Sequence, residues 1–223
     1  PYNSSFIYKS KRDASSSKFI VANGDNAEVR KINYNTKVMF FGYGFNNDAV
    51  IKNLKLDEDA SRFDLYIKDE LYGSFEVPLF GKHMVTDTVA AILMCRHLGV
   101  DKEVIYNSLK TFKNAKRRFA ISRIGKTIIV DDYAHHPTEI KSTLEAVRQR
   151  FPEKRIVVVF KPNTYSRTKD FKDEFSDALN VADKAYLTEI DCNREKQEDY
   201  PGVTSQLIID GLKDGELISE ETI

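Results

Sequence analysis

Cysteine is scarce in this sequence. Among 223 residues only Cys95 and Cys192 occur. Two cysteines supply neither a disulfide framework nor a zinc ribbon, so a reducing, cytoplasmic setting is expected. A surplus of either charge is also missing, with Lys+Arg 34 against Asp+Glu 34. A broad nucleic-acid footprint would need a basic excess, and that class is set aside, although a local anion site stays open. No run approaches the roughly 18 apolar residues of a membrane helix, and no secretory signal opens the chain. A Gly-x-x-x-x-Gly-Lys-Ser/Thr phosphate loop is nowhere in the sequence. The first residue is not Met and the last five are "SEETI", which reads as a piece of a longer polypeptide. What is present is 41% hydrophobic residues, enough for a packed core in one large or two small domains.

The order of segments suggests two domains. Residues 1–17 are rich in Ser and charge without a period, and read as an irregular arm or an added segment. "KFIVANGDN" and "KVMFFGYG" read as strands. "RFDLYI" alternates, with Phe63, Leu65 and Ile67 on one face, and "GSFEVPLF" answers it across a turn "KDELYG", giving a hairpin. Val85, Val89, Ile92 and Leu93 then fall at helical spacing, with Gly99 as the C-terminal stop. A second helix over about 102–112 carries Val104, Ile105 and Leu109. The polar, basic "KNAKRRF" reads as a linker, dividing 18–113 from 114–223.

Beyond the linker, strand and helix alternate. "KTIIV" precedes a helix over 137–151 with Ile140, Leu144, Val147 and Phe151 in its stripe. "RIVVVF" precedes one over about 168–181, with Phe171, Phe175 and Leu179, and "KAYLTEI" one over about 203–212. Apolar strands alternating with amphipathic helices predict an α/β fold with a Rossmann-like parallel sheet covered on both faces. Ligands of such sheets bind beyond the carboxyl ends of the strands. Three polar loops, "DDYAHHPT", "KPNTYSRT" and "DCNRE", lie at those ends, which places His135, Arg167 and Arg194 near one another.

The cluster "DDYAHHPTEI" carries most of the chemistry. A helix start explains part of it, since Pro137 suits the first helical position and Glu139 the positive end of the dipole. It does not explain His135 and His136 together behind two acids. A metal site is disfavoured, because adjacent histidines rarely reach one ion and no third ligand cluster accompanies them. A phospho-receiver site would want a further Asp at the end of the next strand, where Lys161 stands.

"DDYAHHPTEI", with "KRRF" before it and "KPNTYSRTKDF" after it, resembles the Mur ligases that act on UDP-N-acetylmuramate. The resemblance covers roughly residues 18–223 and implies part of a central ATP-binding domain followed by most of a C-terminal ligase domain. It implies ATP-dependent joining of L-alanine to UDP-N-acetylmuramate through an acyl-phosphate, with Mg²⁺ held mainly by residues outside this chain. It further implies that Arg118 reaches the nucleotide, that Asp132 and Tyr133 lie by its ribose, that His135 faces the amine or acyl-phosphate, and that Arg167 holds the muramate substrate. "GKHMVTD" resembles the family's Gly-x-His-Asn-x-x-Asn pattern beside the adenine, implying His83 and Asp87 there. Met84 and Asp87 replace its two Asn residues, and Met offers no hydrogen bond to a base edge. A tripeptide-recycling ligase and a non-catalytic nucleotide-binding relative are the alternative expectations. Neither nucleic acid nor membrane is expected as a partner.

Overall fold

The computed structural model describes residues 6–8, 18–115, 117–191, 194–219 and 221. The chain divides into two compact units, residues 1–114 and 115–223.

The first unit is built on a six-stranded sheet in sequential order: β1 (Phe6–Tyr8), β2 (Phe19–Asn23), β3 (Lys37–Gly42), β4 (Ala49–Leu56), β5 (Ser61–Ile67) and β6 (Glu70–Val77). β2, β3 and β4 run parallel and the other neighbours antiparallel. Helices α1 (Ala27–Lys31), α2 (Lys82–His97) and α3 (Lys102–Lys110) complete it. Val85, Val89, Ile92 and Leu93 of α2 are buried in one core with Val21, Phe41, Leu65 and Val77 of the sheet. α2 ends in a Schellman motif: the N–H of Val100 reaches Cys95 O at 3.0 Å and that of Gly99 reaches Arg96 O at 3.1 Å. Gly99 sits at φ 76°, where a residue without Cβ is unstrained.

Four expectations change in this unit. Phe6–Tyr8 pairs with β2 as a strand, within a segment read as irregular; the rest of 1–17 lies outside the described residues. Helix α1 and strand β4 were not anticipated. The hairpin turn is Lys68–Asp69 alone, both at positive φ (51° and 64°), so β6 begins at Glu70 and not after "KDELYG". Two left-handed residues fit the tight turn that follows strand twist, but neither is the Gly or Asn that advertises it.

The second unit holds β7 (Ala120–Ile124) and β8 (Thr127–Asp131) as an antiparallel pair, and β9 (Val157–Phe160), β10 (Lys184–Leu187) and β11 (Gly215–Leu217) as a parallel sheet in the order β11-β10-β9. Its helices are α4 (Pro137–Arg150), α5 (Tyr165–Asp170), α6 (Lys172–Leu179) and α7 (Gln206–Ile209). Ile140 and Leu144 of α4, Phe175 and Leu179 of α6, and Ile208 of α7 are buried with Phe160, Ala185 and Leu187.

The strand before "DDYAHH" is therefore paired in a hairpin with β7 and hydrogen-bonds into no parallel ladder among the described strands. The helix expected over 168–181 starts earlier, at Tyr165, and breaks at Phe171 (φ −125°, ψ 23°). The helix expected over 203–212 is one turn, Gln206–Ile209. Among the described residues cover is incomplete on one face of β9: Val158 and Phe160 pack inward, whereas Val157 and Val159 are 47% and 50% exposed.

Candidate active site

The carboxyl ends of β8 and β9, and the loop after β10, bound one cavity of about 630 Å³ in the second unit. Its lining includes Asp132, Tyr133 and His135 after β8, Lys161, Asn163, Thr164 and Arg167 after β9, and Asp191 and Arg194 after β10. The three polar loops thus meet, and His135, Arg167 and Arg194 share one cavity.

His135 and His136 have different work. His136 is the N-cap of α4: its Nδ1 accepts the N–H of Thr138 at 3.3 Å, and Glu139 accepts the N–H of His136 at 3.3 Å, a capping box with Pro137 at the first helical position. Burial pushes the His136 imidazole below its ordinary range, in keeping with an Nδ1 that must stay an acceptor. His135 lines the cavity instead. Its Nδ1 lies 3.0 Å from the carbonyl oxygen of Tyr133 and 3.3 Å from the Glu139 carboxylate. Both neighbours are acceptors, so they are satisfied by a ring that carries a proton on Nδ1.

Asp132 has a structural task as well as a place on the wall. Its two oxygens accept the backbone N–H groups of Phe119 at 2.8 Å and Ala134 at 2.9 Å. With the N–H of Tyr133 bonded to Arg117 O at 3.1 Å, this ties the segment before β7 to the end of β8. Arg117 and Phe119 take positive φ (57° and 52°) there. Tyr133 is 54% exposed, and the guanidinium carbons of Arg117 and Arg118 lie 5.2 and 5.9 Å from its ring centroid. Arg117 lines the cavity, whereas its sequence neighbour Arg118, the arginine that the resemblance singles out, is not among the lining residues.

Arg167, in α5, donates to Asn163 O at 3.4 Å. Thr164 caps α5, accepting the N–H of Arg167 at 3.3 Å. Its φ of 74° is unusual for a β-branched residue and is held by the surrounding bonds. Lys161 pairs with Asp191 at 2.9 Å. With Lys161 and Asp191 paired, three arginines (Arg117, Arg167 and Arg194) line the cavity against Asp132, which is bonded to backbone. Its chemistry favours an anion.

His83 and Asp87 lie four residues apart on α2 of the first unit, both half-buried. Met84 packs against the core of the first unit. Among the described residues no group of three or more His, Cys, Asp or Glu converges to hold a metal ion.

Residues 6–95 match the Mur ligase middle domain, and residues 117–222 match the Mur ligase glutamate ligase domain. Solved structures agree in fold. The UDP-N-acetylmuramate-alanine ligase MurC of Thermotoga maritima is similar at 23% identity and TM-score 0.67, over 82% of this chain and 39% of that one. MurF of Acinetobacter baumannii is similar at 17% identity and TM-score 0.71, over 93% and 44%. MurF of Thermotoga maritima, solved in complex with ADP, is similar at 23% identity and TM-score 0.68, over 93% and 45%. The chain spans less than half the length of each. With its two units matched in turn by the middle and the glutamate ligase domains, the chain belongs to the Mur ligase family, whose members are ATP-dependent, amide-forming ligases.

Proposed function

We propose that these residues form the acceptor and substrate side of a ligase that joins L-alanine to UDP-N-acetylmuramate in peptidoglycan precursor synthesis. The observation that carries this reading is His135, held at Nδ1 by two acceptors, in the same cavity as Arg167.

Amide formation from a carboxylate sets two demands. The carboxylate is a poor electrophile, and ATP, when bound, supplies the phosphoryl group that activates it. The incoming ammonium group must give up a proton before it attacks. A neutral imidazole held in one tautomer is suited to accept that proton, and positioned general bases contribute about 10²–10⁴-fold. Arg167 would bind an anionic group of the substrate, and Arg117, Arg118 and Tyr133 offer a cationic, aromatic surface to the nucleotide. His83 and Asp87 are proposed to lie by the adenine, on the family pattern alone. Without a phosphate loop, the 223 residues by themselves are expected to be inactive, and the principal Mg²⁺ ligands to come from other residues.

The test is an assay of the natural gene product that carries these residues, given ATP, Mg²⁺ and UDP-N-acetylmuramate, with L-alanine or a murein tripeptide as amine. ADP release that needs L-alanine supports the reading. Turnover with the tripeptide alone points to the recycling ligase, and no turnover with either contradicts both.

A further inference from the structure

The loop after β10 is fastened to the loop after β9 at several points. The Asp191 N–H bonds to Pro162 O at 3.0 Å, and Asn163 and Asp191 form a parallel bridge. Further along, Glu195 spans the two loops: its carboxylate accepts the N–H of Ser166 at 3.0 Å and, through its other oxygen, the Ser166 hydroxyl. Tyr165 and Tyr200 stack across the same seam at 5.9 Å between centroids. The two Ser166 bonds hold the Glu195 carboxyl below its usual range. Ser166 is the neighbour of Arg167 in α5, and Arg194 is the neighbour of Glu195. One carboxylate–serine clasp therefore ties together the two loops on which the arginines stand, each next to a clasp residue, and both arginines line the cavity. The first N–H groups of α5 are already bonded by Glu195 and Thr164, so an incoming anion meets the side chains rather than the helix end.

We propose that Arg194 is a second anion-binding residue of this cavity, gripping the same ligand oxyanion as Arg167, and that Glu195 is the positioning residue that holds it there through Ser166. Planar guanidinium forks on neighbouring loops suit a carboxylate or a phosphate group, each accepting two parallel N–H bonds. The inference rests on the ligase reading only for the choice of this cavity as the substrate site, and its test requires no turnover.

The test is a titration of the 223-residue chain, labelled with ¹⁵N-arginine, with inorganic phosphate and separately with acetate, following each arginine Nε–H resonance by NMR. Saturable shifts of Arg167 and Arg194 with one shared Kd are expected, and the tighter of the two anions identifies the group as phosphoryl or carboxylate. Arg194→Gln should weaken binding by about tenfold, as expected for losing a charge-assisted bidentate contact. Glu195→Ala should abolish the Arg194 shift while Arg167 still responds. Glu195→Gln, which keeps one acceptor for Ser166, should give an intermediate response, which a general loss of structure would not. Unchanged amide dispersion confirms that each variant is folded. An Arg194 resonance that stays still, or moves linearly without saturation for both anions, overturns the proposal. That outcome leaves the ligase reading to its own assay, and absent turnover would likewise leave shared saturation standing.

Discussion

Asp132 accepts the backbone N–H of Phe119 across 13 residues of sequence, at 2.8 Å, while its second oxygen serves Ala134 at 2.9 Å. The residue that the family resemblance places near a ribose is thus also the strap that closes the β7–β8 hairpin onto the cavity wall. Removing it leaves two backbone donors without their partner. Asp132→Ala should lower unfolding stability by about 2 kcal/mol, in the range for losing hydrogen bonds to a charged acceptor. Asp132→Asn, which retains one acceptor oxygen, should lose about half of that. Urea unfolding measures both, and a loss below about 0.5 kcal/mol for the Ala variant would show that the strap is dispensable.

His136 gives the protein a pH dependence of defined sign. Burial is the main cause of its lowered folded-state affinity for protons, and Arg167 and His135 push the same way against Glu139. The unfolded chain then binds the proton first, near the ordinary 6.5. Stability is fully present above that value and falls as pH drops from it towards the lower folded value, because a protonated Nδ1 cannot accept from Thr138. Thermal unfolding of the wild-type chain should show a decline from pH 7.5 to 5.5. His136→Asn, which keeps an N-cap acceptor without titrating, should flatten this slope. An unchanged slope would assign the decline to other groups.

Two glycines separate backbone strain from steric exclusion. Gly99 has φ 76° and open space around a Cβ, so Gly99→Ala should lose about 1 kcal/mol through strain at the helix end alone. A Cβ on Gly24 would lie 2.0 Å from Asn47 Oδ1 and 2.6 Å from an Arg30 nitrogen. There Arg30 bonds both Gly24 O and Asn47 Oδ1, the latter at 2.6 Å. Gly24→Ala should displace that network and lose more, about 2–3 kcal/mol, as buried polar groups lose their partners. Circular-dichroism melts of the two variants measure the difference, and equal losses would contradict the steric argument.

The sequence announced an element where its local signal and its burial agreed. α2 and α4 were visible because Val85, Val89, Ile92 and Leu93, and then Ile140 and Leu144, are both periodic and buried. β4 was not, because a bulge between Lys52 and Lys55 and an Asn53 at φ 52° break its alternation. β7 was not, because most of its residues are exposed, Ile121 and Ile124 by 42% and 69%, so no apolar face repeats. The site loops were legible from strand–helix alternation, since polar clusters after successive strands belong at one end of a fold. Arg117 was not distinguished from Arg118, because neighbouring arginines in "KRRF" look alike until the positive φ at Arg117 is known. The separate tasks of His135 and His136 needed the capping geometry, which residue identity alone does not contain.

In the proposed function the amide bond is made in the cavity bearing His135 and Arg167. The most direct measurement is the steady-state rate of amide formation by the natural gene product, as wild type, His135→Gln and Arg167→Ala. His135→Gln should lower kcat by about 100-fold or more, as for loss of a general base. Arg167→Ala should raise the KM for the anionic substrate by about tenfold or more, as for loss of a charge-assisted contact. Wild-type kcat and KM in both variants would show that the bond is made elsewhere.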